Sequence, residues 1–223
     1  LEQKVKERTA ELECSRMDII WRLGNLAEFR DEDTGNHILR VGLYCKAIAE
    51  RLEMSRDFID MLFLTSPLHD IGKVAIPDNI LQKPAKLSDE EYEVMKQHTA
   101  AGRDVIVEAE SVLEEEHQFL VIAREITYLH HEKWDGSGYP RGLKGEDIDL
   151  NGRITAVADV FDALGSTRVY KEAWDDEKIF NLFIRVHMQR LAFCFIFCMF
   201  LIIPFITFAS TFNDGINAVK NGK

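Results

Sequence analysis

An all-α bundle led by a long N-terminal helix is the fold that this sequence predicts. Apolar residues recur at helical spacing in one segment after another, and stretches with strand-like alternation are short and few. Pro and Gly gather at 74–87 and 132–151, where loops are expected between helices. At 223 residues the chain can build one domain with a real core plus an appendage.

Residues 1–29 read as one helix. Val5, Leu12, Ile19 and Leu26 recur every seven residues amid Glu, Lys and Arg. The matching second seam positions carry Arg8, Ser15 and Arg22, so the pattern fits either a dimer or signalling linker or a solvated helix packing one stripe on its own domain. Further helical patterns fall near 36–52, 56–70, 88–107, 118–130 and 153–165. Ser88 and Glu91 form a capping box before one of them. The acidic segment Glu108 to Glu116 reads as a solvated loop or helix end. These segments give three regions: a helix over 1–29, a domain over 30–183 and an atypical apolar tail over 184–223.

Within that tail, the twenty-two residues 191–212 carry no charge, and seven are Phe. The length is that of a membrane span. Arg185, His187 and Arg190 on its N-terminal side would leave the domain in the cytoplasm, and Pro204 is tolerable in a membrane helix. A buried core helix and a tail not native to the domain are the other readings.

The net charge of −11 and pI of about 5.1 argue against broad binding to nucleic-acid backbone. Cys14, Cys45, Cys194 and Cys198 form no CxxC pair, so a reducing compartment is expected. The charged start of the chain does not read as a signal peptide.

The chemistry is concentrated in the histidines. Five of the seven (His37, His69, His98, His130 and His131) lie in the central region with carboxylates close by. Imidazole and carboxylate together suit Fe or Mn, or Zn. Asp33 and His37 stand four apart and share a face if a helix begins by Thr34. His69 and Asp70 would point about 100° apart on a regular helix, but both can reach one centre at a helix end. Lys73 follows within a turn, as a charge partner for a carboxylate or a substrate phosphate. His130-His131 opens onto the loop Glu132 to Pro140. Asp159 sits in an otherwise apolar helix, where a carboxylate needs a partner; Asp162, one turn on, could be the ligand instead or a cap for a neighbouring group. His117 and His187 have no motif around them and read as structural or solvated.

The ordered set Asp33-Thr34-Gly35-Asn36-His37, His69-Asp70-Ile71-Gly72-Lys73, His98, His130-His131, Asp135-Gly136-Ser137-Gly138-Tyr139-Pro140 and Asp159 resembles the HD-GYP family, a branch of the HD-domain metal phosphohydrolases, over roughly residues 28–182. The resemblance implies an HD-domain helical bundle with two or three divalent metal ions, often iron or manganese. It implies hydrolysis of the bacterial second messenger cyclic di-GMP to linear pGpG, and in some members on to GMP. By position, His37, His69, Asp70, His98, His130, His131 and Asp159 match metal ligands, with Asp70 bridging two ions. Lys73 matches a lysine on the substrate phosphate, and Arg168 and Lys171 match basic residues that hold substrate. Gly138-Tyr139-Pro140 shapes a surface loop linked to contacts with GGDEF-type cyclases. Residues 1–12 resemble the helix that joins a receiver or sensor domain to such an output, which implies homodimerisation through 1–29.

Three departures stand out. Asp33 replaces the Glu of trimetal members, and the shorter carboxylate favours a two-metal site. Val169 replaces the usual proline. After about Phe183 the Phe-rich run stands where the family has a Gly-x-x-Phe-Asp-Pro pattern and a last helix, as expected of a truncated, frame-shifted or fused end. Two other functions fit the same residues: an HD phosphohydrolase acting on another nucleotide, such as a mixed cyclic dinucleotide, and a non-catalytic module that binds cyclic di-GMP or docks a cyclase.

Overall fold

The computed structural model describes residues 1–30, 36–113, 115–166, 174–175, 177–179 and 181–182. It is built of α1 (Glu2–Glu28), α2 (Asn36–Arg51), α3 (Arg56–Thr65), α4 (Asp78–Leu81), α5 (Asp89–Ser111), α6 (Gln118–Leu129) and α7 (Leu150–Gly165), with short 3₁₀ turns at Ser66–Leu68, Ile71–Ala75 and Gly145–Asp147. No β-strand occurs among the described residues, and the all-α expectation holds. The chain divides into two units, Leu1–Asp162 and Ala163–Lys223. In the second, the Trp174 N–H donates to the Leu164 carbonyl at 3.0 Å and Ile179 is buried.

In the first unit, α1 carries solvated ion pairs along its length, Arg8 with Glu11 and Arg22 with Asp18. The heptad residues Val5, Leu12, Ile19 and Leu26 are all exposed. Only the last third of the helix is buried, through Ile20, Gly24, Ala27 and Glu28, a spacing that lines one face. Gly24 is required by a close approach: a Cβ there would stand 2.4 Å from the Pro67 carbonyl oxygen. The end of α1 is thereby seated on the turn that carries His69. Arg30 extends the anchor, donating to the carbonyls of Val74 (3.1 Å) and Ile76 (2.9 Å) and to Asp78.

The helix expected over 56–70 stops at Thr65, and Pro67 is the second residue of a 3₁₀ turn, a place where its missing N–H costs nothing. His69 and Asp70 therefore stand at a helix end rather than on a regular helix. The next turn lies directly on α5: a Cβ on Gly72 would come within 1.9 Å of the His98 carbonyl oxygen. α5 begins with the expected capping box, the Ser88 hydroxyl accepting from the Glu91 N–H and the Glu91 carboxylate from the Ser88 N–H. It runs to Ser111, so the acidic stretch begins on its last turns, where Glu110 pairs with Arg124. Residues 74–87 include the short α4, and α7 begins at Leu150, earlier than the periodicity indicates.

The loop after α6 is held from inside. The Glu132 carboxylate accepts the backbone N–H groups of Arg141 (2.7 Å) and Leu143 (2.9 Å). Asp135 accepts from the Ser137 N–H and hydroxyl. Among the described residues no helix is long and apolar enough to cross a membrane. The run 191–212 lies outside the described residues.

Candidate metal centre

Six segments converge on one buried locus: the ends of α1, α3 and α6, the start of α2, and the middles of α5 and α7. They form two groups of donors. Glu28, His37 and His69 make the first; Asp70, His98, His130 and His131 make the second. In each, the donor atoms lie within 4.8 Å of one another.

Asp70 joins the groups. Its Oδ2 is 3.2 Å from His69 Nε2, while its Oδ1 is 3.2 Å from His98 Nε2 and 3.5 Å from His130 Nε2. His98 Nε2 and His130 Nε2 are themselves 3.4 Å apart. Asp159 Oδ1 faces the first group at 3.6 Å from His37 Nε2.

The opposite nitrogens show what these rings are set up to do. His69 Nδ1 is 2.9 Å from the Ser66 carbonyl, His98 Nδ1 2.7 Å from that of Met95, and His130 Nδ1 3.0 Å from that of Ile126. A carbonyl only accepts, so each Nδ1 carries the proton and each Nε2 can offer its lone pair to the common centre. His37 Nδ1 is 2.7 Å from Asp162 Oδ2, and Arg40 holds the same carboxylate at 2.9 Å. Asp162 therefore orients a histidine, and Asp159 is the carboxylate that faces the centre.

The electrostatics of the two groups differ. Burial opposes the charge on Asp70, but Lys73, His69 and the His130 hydrogen bond outweigh it and hold the carboxyl well below the usual range. Burial likewise opposes a charge on His69, yet Asp70, Asp159 and Glu28 push its pKa up to about 10. For His37, burial is outweighed by Asp162 and Glu28, and the pKa rises. Glu28 is raised by burial. His130 and His131 move the other way, lowered first by burial. Buried carboxylates and imidazoles converging in this way are a donor set suited to a divalent ion.

Of the residues nominated from the sequence, His37, His69, Asp70, His98, His130, His131 and Asp159 are brought together. Lys73 joins them, its Nζ 2.8 Å from Asp70 Oδ2. Asp33, Arg168 and Lys171 lie outside the described residues, as does His187. His117 is exposed. The Gly138-Tyr139-Pro140 loop is turned toward the centre: the Tyr139 ring stacks on His131, centroids 4.7 Å apart at 23°. A Cβ on Gly138 would meet Lys133 N at 2.3 Å, so glycine is what lets the loop fold back this far. Glu28 was missed. It ends a charged helix, and only the buried spacing Ile20-Gly24-Ala27 marks that turn as inward.

Residues 22–185 match the family model described as HD domain. The chain is 49% identical over 176 residues to the cyclic di-GMP phosphodiesterase of Vibrio cholerae, covering 75% of this chain and 36% of that protein. It is 47% identical over 162 residues to the 3'3'-cGAMP-specific phosphodiesterase 2 of the same organism, covering 73% and 30%. To the cyclic di-GMP phosphodiesterase of Thermotoga maritima it is 44% identical over 181 residues, covering 81% and 48%. The chain thus spans less than half the length of these relatives. Divalent metal binding is implied by the family, and the two donor groups could hold such ions. The motifs, the all-helical fold and these matches agree: the chain belongs to the HD-domain family, in its HD-GYP branch.

Proposed function

We propose that this chain is the cytoplasmic output part of a bacterial signalling protein, and that it hydrolyses cyclic di-GMP to linear pGpG with two divalent ions, iron or manganese. The observation that carries the reading is Asp70, whose two oxygens face two separate groups of imidazoles. Divalent ions there would supply Lewis acidity for phosphodiester hydrolysis, acidifying water and neutralising phosphoryl charge. His37, His69 and Asp159 would hold one ion and His98, His130 and His131 the other, with Asp70 between them. Lys73, whose side chain is 15% exposed, is placed to contact a phosphate approaching Asp70. Arg168 and Lys171 would hold the second phosphate or a guanine.

A mixed cyclic dinucleotide is the second substrate to consider, because the relative at 47% identity is named for 3'3'-cGAMP. The exposed heptad face of α1 supports a homodimer through residues 1–29, and the Gly138-Tyr139-Pro140 loop is the surface on which a GGDEF-type cyclase would dock. The test is turnover of cyclic di-GMP and of 3'3'-cGAMP by the chain prepared anaerobically with Fe(II) or Mn(II), beside a His69→Ala/Asp70→Ala control. Release of pGpG that disappears in the control is expected. Turnover of 3'3'-cGAMP alone would reassign the substrate, and no turnover of either by metal-loaded chain would refute the hydrolase.

A further inference from the structure

Glu28 is unlike the other carboxylates of the centre. It belongs to α1, outside the ordered motifs, and is 3% exposed. Its Oε1 stands 3.6 Å from His37 Nε2 and 3.9 Å from His69 Nε2. Its Oε2 is buried and has no hydrogen-bond partner among the described residues. A buried carboxylate oxygen without a hydrogen bond is costly, so the fold holds it there against its own solvation.

The distances discriminate between a hydrogen-bonding role and a ligating one. At 3.6 and 3.9 Å the contacts are too long for hydrogen bonds. Bonds of about 2.0–2.2 Å from a common ion, at tetrahedral or octahedral angles, set neighbouring donor atoms roughly 2.8–3.6 Å apart. Glu28 Oε1 stands at the wide end of that spacing from His37 Nε2 and a few tenths of an ångström beyond it from His69 Nε2. Donor atoms of all three residues lie within 4.8 Å of one another, and Asp159 Oδ1 adds a further oxygen at 3.6 Å from His37 Nε2. The backbone leaves little freedom to withdraw, since Gly24 packs one turn earlier against Pro67 and Arg30 is tied to Val74 and Ile76.

We infer that Glu28 is a direct ligand of a divalent cation, so that the N-terminal helix itself completes the first metal site. This rests on the metal-centre reading above. It makes α1 a structural part of the centre, and occupancy of the first site then fastens the last turn of the helix to α2 and to the turn bearing His69.

The probe is Mn(II). Its stoichiometry and affinity are measured by titration and by metal analysis after dialysis, for wild type, Glu28→Gln, Glu28→Ala and His69→Ala, with the thermal midpoint of each metal-free chain as the folding control. The Gln and Ala variants are expected to fold when metal-free, because removing the carboxylate removes the cost of burying it together with its attraction to His37 and His69. Both should drop from about two ions to about one, or bind the weaker ion at least tenfold less tightly. Wild-type stoichiometry and affinity in either folded Glu28 variant, while His69→Ala loses an ion, would overturn the inference and leave the metal centre standing. Failure of wild type to bind Mn(II) would overturn both.

Discussion

The two donor groups lie side by side on one carboxylate yet are prepared for metal in opposite ways. The first combines Glu28 and Asp159 with histidines whose affinity for protons is raised. The second has imidazoles with one carboxylate, Asp70, shared with the first, and burial keeps His130 and His131 from taking a second proton. In the first group, protons stand in for the cation and balance the buried carboxylates. In the second, His130 and His131 are neutral imidazoles, each with a ring lone pair already free at neutral pH. An ion entering the first group would therefore exchange with protons, and one entering the second would be taken directly.

Removing the carboxylate that the two share should have the largest effect. Asp70→Asn keeps the shape but takes away the anionic oxygens on both sides. Even outer partners of metal ligands are worth about 10- to 100-fold in affinity, so losing a bridging ligand should weaken both ions by more than about 100-fold. Mn(II) titration checks this. Loss confined to one site would show that Asp70 serves a single ion, and the pairing of the groups would have to be abandoned.

The second expectation follows from the proton balance. A metal entering the first group must displace a proton from His69, whose pKa is about 10, and from the raised His37. A group raised in this way is protonated below its folded-state pKa, so affinity at the first site should climb as pH rises from 6.5 toward 9. The slope should approach about tenfold per pH unit for each proton released. The second site should change far less, because its lowered histidines release no proton over that range. Titrations at a series of pH values, with the proton count read from buffer-dependent binding heats, would measure both slopes. Equal slopes would erase the difference between the groups.

How much of this was legible in the sequence depends on what kind of signal each residue leaves. His130-His131 and His69-Asp70 are adjacent pairs of chemistry-bearing residues, and pairs of that kind announce themselves. The helices carried apolar periodicity, and the capping box of α5 was readable from Ser88 and Glu91 alone. Glu28 left no such mark, because its place at the centre comes from where α1 ends, which is fixed by the long-range contact between Gly24 and Pro67. The break at Thr65 was equally hidden: the periodic pattern runs on through 70, and only Pro67 in the sequence signals the tighter turn. The division between Asp159 and Asp162 needed three dimensions, since both lie on one helix and only the approach of His37 and Arg40 tells them apart. The inward fold of the Tyr139 loop depends on Gly138 meeting the backbone of Lys133, a contact that no periodicity encodes.

Tyr139 offers the finest test of the contrast, because it touches only the second group. Its ring stacks on His131 at 4.7 Å and stands edge-on to His98 at 6.3 Å. Such aromatic pairs contribute about 0.5–1.5 kcal/mol beyond the area they bury. In Tyr139→Ala the His131 ring loses the surface that fixes its plane, and Mn(II) affinity at the second site should fall by about 2- to 12-fold, with the first unchanged. Tyr139→Phe keeps the stacked ring and removes only the hydroxyl, so it should bind as wild type does. A loss in Tyr139→Phe would move the interaction from ring to hydroxyl, and a loss at the first site in Tyr139→Ala would mean that the groups are coupled through more than Asp70. The expected pattern would also give the loop two separable duties, since a ring holding a metal ligand in place leaves Gly138 and Pro140 to shape the outer face.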